Sequence, residues 1–223
     1  MLTGFQAAFG APAMAMAATF LGFGAAVSAG GLGLGWALAA ALLIYGMPGQ
    51  LILLNALAGG GLAGGAILSA IAANARFLPM AVALSPWLGG GAGRWLALPF
   101  ISVTTWAAGM RTLPGLPPKC RLGWFLGFAL GCWGVAGSAT MLGHAMAPAL
   151  PGWLLALLVF TNPLYFGLLL AAERRVPAIR RAVLAGILAS PLALVLPAAW
   201  GLLAAGLLGG SLAFWLGERH GRG

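Results

Sequence analysis

The chain has 223 residues, of which 62% are hydrophobic and 6% charged, with a mean hydropathy of +1.03. That composition excludes an ordinary soluble domain and points to an integral membrane protein. Eleven Lys and Arg against two acidic residues give a net charge of +9, but the basic residues stand singly or in small groups between apolar runs, which fits cytoplasmic loops facing an anionic leaflet and argues against nucleic acid as a partner.

A hydrocarbon core of about 30 Å needs roughly 20 apolar residues per helix. Cutting the chain at charges and Gly/Pro clusters yields eight segments: 7–28, 36–58, 62–84, 94–110, 123–147, 150–171, 181–196 and 199–217. The first has no basic leader and is expected to be a retained span. The last two share an apolar stretch barely long enough for both, so the expectation is an all-α membrane protein of seven to eight transmembrane helices in one polytopic domain, 1–223. With eight spans and both termini cytoplasmic, Arg111, Lys119, Arg121, Arg174, Arg175, Arg180, Arg181, Arg219 and Arg222 all lie inside. Arg94 alone lies outside, and Arg76 falls within a span.

Three stretches recur in order: "FLGFGA" at 20 and "FLGFAL" at 125, "LLIYGMP" at 42 and "LLVFTNP" at 157, "AILSAIAAN" at 66 and "AVLAGILAS" at 182. The pattern points to an internal 4+4 repeat with halves 7–110 and 123–217. Helix-breaking residues then fall at matching places: Gly46, Pro48 and Gly49 beside Gln50 in one half, Asn162 and Pro163 in the other. Asn74 and Pro79, which flank Arg76, correspond to Ser190-Pro191. Several helices are therefore expected to be broken by Gly and Pro, and paired breaks in two halves mark a transporter's midplane site, where unwound backbone offers free N–H and C=O groups.

Arg76 sits in the apolar run "IAANARFLPM". A guanidinium there costs about 2.5–3.5 kcal/mol on insertion scales. The chain has no Asp, and Glu173 and Glu218 lie at loop or tail positions. The partner is then a backbone carbonyl of a broken helix, an amide oxygen of Asn74, Gln50 or Asn162, cavity water, or an anion from outside the chain. A rigid guanidinium fork fits a carboxylate through two hydrogen bonds, so Arg76 is expected to receive a substrate carboxylate. Gln50, Asn74, Asn162 and the backbone opened at Pro48 and Pro163 would complete the polar site. Tyr45 and Phe77 would face an apolar side chain, and Thr104 and Thr105 would place hydroxyls nearby.

With no intramembrane acid, and His144 near a span end, downhill export or coupling through a carbonyl-held cation is easier to build than carboxylate-based proton exchange. Cys120 and Cys132 form neither a disulfide framework nor a metal spacing. No cofactor or metal is expected, and no nucleophile–base pair points to an enzyme.

The chain resembles the AzlC family of branched-chain amino-acid exporters, named for azaleucine resistance. The resemblance is carried by "LGFGAAVSAGGLG" leading into "LLIYGMPGQLILLNAL", by "AANARFLPMAVALSPWL", by "FISVTTWA", by "GWFLGFALGCWGVAGSATMLG" and by "LLVFTNPLYFGLLL". Gln50, Asn74 and Arg76 stand at positions matching the family pattern, whereas Phe77 replaces its usual His and Thr104-Thr105 its Asp-Glu pair. The resemblance implies a permease of the bacterial inner membrane that exports small hydrophobic or branched-chain amino acids and works with a small AzlD-type membrane subunit, with homo-oligomers as a further option. A non-transporting assembly subunit and a passive anion channel remain the alternatives. Cysteines placed singly at positions 94 and 222, in a chain whose own two are replaced, are expected to react with an impermeant thiol reagent from opposite sides of the membrane; labelling from one side would undo the eight-span topology.

Overall fold

The computed structural model describes residues 1–60, 63–149, 151–172, 175–196 and 198–221, without the side chains of residues 63, 159, 162, 166, 169, 193, 198–200, 202, 203 and 218–221. Glu173, Arg174 and Arg222 lie outside the described residues. All regular structure among the described residues is helical. Among the described residues, four helical stretches are long and apolar enough to cross a bilayer: Ala11–Ala29, Gly64–Trp87, Pro118–Ala149 and Gly152–Ala172.

A short helix, α1 (Leu2–Ala8), precedes α2 (Ala11–Ala29), which starts at an extended Gly10 with Pro12 in its first turn. Segment 36–58 is not one helix. It forms α3 (Leu34–Ala39), a π-helical turn over Ala40–Ile44, and α4 (Met47–Ala58). Segment 62–84 becomes α5 (Ala63–Asn74) and α6 (Phe77–Leu84). Segment 94–110 is likewise divided, with a 3-10 stretch over Ala92–Phe100, extended backbone at Ile101 and Ser102, and α7 (Val103–Thr112). Then come α8 (Pro118–Met146) and α9 (Gly152–Ala172). Segment 181–196 splits at Ser190-Pro191 into α10 (Pro177–Ala189) and α11 (Leu192–Val195), and α12 (Ala198–Gly221) closes the chain.

One expected break is absent. Helix α9 runs unbroken through Pro163, so that proline does not open the backbone. Its ring fixes φ near the helical value and removes a single N–H, which a membrane helix tolerates when neighbouring groups compensate. The first break has a second element besides its proline. Tyr45 adopts left-handed backbone (φ 46°) and Gly46 follows in an extended conformation. Pro48 and Pro79 lie in the first turns of α4 and α6, where no intrahelical donor is lost.

The core centres on α8, which packs against α1, α2, α3 and α7. Without a hydrophobic drive between helices in lipid, close approach of backbones carries the association. Gly24 and Gly143 place α2 and α8 in near contact: a Cβ on Gly24 would meet the Thr140 carbonyl, and one on Gly143 the Leu21 carbonyl. Around this seam Phe23, Val27, Phe125, Leu84 and Leu113 are fully buried. Helices α10 and α12 form a second pair, and α5 packs against α12. Gly143→Val is expected to lower the thermal unfolding midpoint of the detergent-solubilised protein, at a cost of about 1–3 kcal/mol from overpacking. Gly134→Ala, where an added methyl meets open space, should leave the midpoint unchanged.

Candidate functional site

The break between α3 and α4 frees carbonyls in a medium that cannot hydrate them. Two side chains answer them. Gln50 Nε2 donates to the Ala40 carbonyl at 2.9 Å, and Trp133 Nε1, from α8, donates to the Leu42 carbonyl at 3.0 Å. Gln50 is fully buried, and its Oε1 has no hydrogen-bond partner.

A second break, at Ala75 and Arg76, interlocks with the first through Asn74. A Cβ on Gly46 would run into Asn74 Oδ1, and one on Gly49 would lie 2.6 Å from Asn74 Nδ2. Only glycine at both positions admits the Asn74 side chain, whose Oδ1 is also buried without a partner. Two residues on, Arg76 precedes the first turn of α6. Its guanidinium carbon lies 5.3 Å from the centre of the Phe77 ring, a cation–π distance. Arg76 Nε is buried and no described group accepts from it.

The third interruption sets the start of α7. Ser102 and Thr105 form a capping box: Ser102 Oγ accepts from the Thr105 N–H at 3.3 Å, and the Ser102 N–H donates to Thr105 Oγ1 at 2.8 Å. Thr105 Oγ1 also donates to the Phe100 carbonyl at 2.8 Å. This holds the N-terminal end of α7 in place.

The three breaks meet at one cavity of about 1020 Å³. Its wall takes Tyr45, Gly46 and Pro48 from the first break, Arg76 and Phe77 from the second, and Ser102, Val103 and Thr104 from the third. Phe20, Met80 and Trp106 add apolar surface, and Leu155, Phe160 and Pro163 of α9 contribute another side. The described lining is apolar apart from Arg76, the hydroxyls of Thr19, Tyr45, Ser102 and Thr104, and the Trp106 indole.

A protein-family model described as AzlC protein matches residues 12–150. The chain belongs to the AzlC family. That family is associated with membrane transport of amino acids. No curated protein and no solved structure matches the chain. The part that matches AzlC runs from α2 to the end of α8, so it holds all three breaks and Arg76 but not α9.

Of the residues expected at the site, this AzlC chain brings Tyr45, Pro48, Arg76, Phe77, Thr104 and Pro163 to the cavity wall. Pro163 arrives as a ring on a continuous helix rather than as opened backbone. Gln50, Asn74 and Thr105 are not on the wall: Gln50 holds the first break, Asn74 wedges between the two glycines, and Thr105 caps α7. The side chain of Asn162 lies outside the described residues. Ser102 and Trp106, in the same polar run as Thr104, also reach the wall, whereas sequence reasoning passed over Thr19, Phe20 and Met80; the Ser-x-x-Thr spacing of 102 and 105 reads as the helix start found there. Gln50→Leu or Trp133→Phe, each stranding a carbonyl, should destabilise the protein by about 1–3 kcal/mol. Ser138→Ala, which removes an exposed hydroxyl bonded to its own helix, serves as the neutral comparison in the same thermal unfolding assay.

Proposed function

We propose that the chain is a secondary transporter that exports small hydrophobic or branched-chain amino acids across the bacterial inner membrane, with Arg76 holding the substrate carboxylate. The observation that carries this is Arg76 itself: a guanidinium in the wall of an apolar cavity, its Nε without an acceptor, in a chain that has no Asp and has Glu only at 173 and 218. The missing counter-charge is then brought by the substrate. A carboxylate satisfies the fork bidentately, while Phe20, Phe77 and Met80 surround an aliphatic side chain.

Discrimination among leucine, valine and isoleucine rests on a methylene or a branch, worth about 1–3 kcal/mol at best, so selectivity is broad. Both termini are cytoplasmic in this proposal, which follows the distribution of basic loop residues. A small AzlD-type membrane subunit completes the working unit, and the chemistry is movement rather than catalysis. The test is efflux of labelled leucine, valine and methionine from preloaded cells that express the chain with its small membrane subunit, comparing wild type with Arg76→Gln at equal membrane abundance. Loss of a charge-assisted contact predicts a fall of about tenfold or more, with Arg76→Lys intermediate. Equal efflux from both, at the level of empty cells, would remove the transport proposal in favour of an assembly role.

A further inference from the structure

We propose that the same cavity also carries apolar monocarboxylate anions that lack an ammonium group, such as branched-chain 2-oxo acids, and that the N-terminal end of α7 forms a second part of its anion seat beside Arg76. The proposal rests on the cavity being the transport site and goes on to name a substrate class for it.

Helix α7 has ten residues and begins on the cavity wall with Val103 and Thr104. The capping box answers the Thr105 N–H, and the Trp106 N–H donates to the Ser102 carbonyl. The N–H groups of Val103 and Thr104, in the first turn, have no intrahelical partner and make no hydrogen bond to another described group. Two free amides at the positive end of a helix dipole are suited to an anion.

A second observation points to the same place. Tyr45 is 4% exposed, lies on this wall, and its hydroxyl approaches the Ser102 side chain without meeting hydrogen-bond geometry. Left-handed backbone at Tyr45 fixes the ring there. A buried phenol without a partner is costly unless a ligand takes it up. Trp106 Nε1 and Arg76 Nε, from residues of the same wall, are also buried without partners.

Acceptors for an ammonium are scarce by comparison. No described lining residue carries a carboxylate or an amide side chain. Three carbonyls at the first break are already engaged: Ala40 by Gln50, Leu42 by Trp133, and Gly46 by the Gln50 N–H. The acceptors among the described lining side chains are neutral hydroxyls, and Arg76 repels a second cation. A cavity with a guanidinium and no carboxylate among its described lining residues favours net negative charge, so removing the amino group from the substrate removes the group to which the site offers no charged partner.

The test uses the chain purified together with its small membrane subunit, in liposomes loaded with labelled leucine or labelled 4-methyl-2-oxopentanoate, with membrane current recorded during efflux. The oxo acid is expected to leave at least as fast as leucine and to carry current, because it moves as an anion. Tyr45→Phe, which keeps the ring, and Val103→Pro, which removes one free N–H at a helix position where proline is tolerated, should each slow oxo-acid efflux by about tenfold. Leucine efflux without oxo-acid efflux would overturn this proposal and leave amino-acid export standing. Oxo-acid efflux alone would support it and overturn amino-acid export. Oxo-acid efflux unchanged by Arg76→Gln and by both other variants would be leakage and would overturn it, as would the absence of both fluxes, which would also remove the transport site.

Discussion

The chain turns at Tyr45 inside an apolar environment, and the turn survives because two side chains reach the carbonyls it exposes. In water a broken helix is rehydrated at little cost; among lipid-facing helices each stranded carbonyl costs several kcal/mol. Gln50 comes from the helix that follows the break and Trp133 from the middle of α8, a helix remote in sequence. The bend is therefore a tertiary feature, fixed by the docking of α8. Everything at the cavity depends on it: the position of Tyr45, the direction of α4, and the slot between Gly46 and Gly49 that receives Asn74 and so places Arg76 two residues later.

This arrangement explains why part of the site was legible in the sequence and part was not. Arg76 stood out because an unpaired guanidinium in a greasy run demands an explanation, and "YGMPGQ" announced a break through its glycines and proline. The roles of Gln50 and Asn74 were not legible. A buried amide reads the same in one dimension whether it faces a ligand or a carbonyl, and only the fold shows that Gln50 reaches Ala40. Pro163 misled for a related reason. Proline was weighed as a helix breaker, whereas the first break combines a proline in the next first turn with left-handed Tyr45 and extended Gly46 before it. The division of segment 94–110 was hidden as well, because hydropathy averages over the extended pair Ile101 and Ser102 that separates a 3-10 stretch from α7.

The fold also distributes hydrogen-bonding character unevenly. The Ala40 and Leu42 carbonyls are closed off by Gln50 and Trp133, while N–H donors at the start of α7 and on Arg76 and Trp106, and the Tyr45 hydroxyl, are left open toward one cavity. A chain with two acidic residues could hardly do otherwise with charge. That the backbone follows the same sign is a property of the geometry. Because helix starts rather than helix ends face the cavity at α6 and α7, the local dipoles reinforce the guanidinium.

Helix α8 has 29 residues, about 43 Å at 1.5 Å per residue, against a hydrocarbon layer of about 30 Å. Its basic first turn, with Lys119 and Arg121, belongs at the headgroups; the apolar remainder still exceeds the layer, so the helix leans. Glycine contacts bind α1 and α2 to α8 too tightly for either to slide, and Trp133 ties the bend at Tyr45 to the same helix. Because α2 is packed against α9 as well as against α8, the lean of α8 is passed through α2 to the far side of the cavity, so both walls answer together to the thickness of the bilayer.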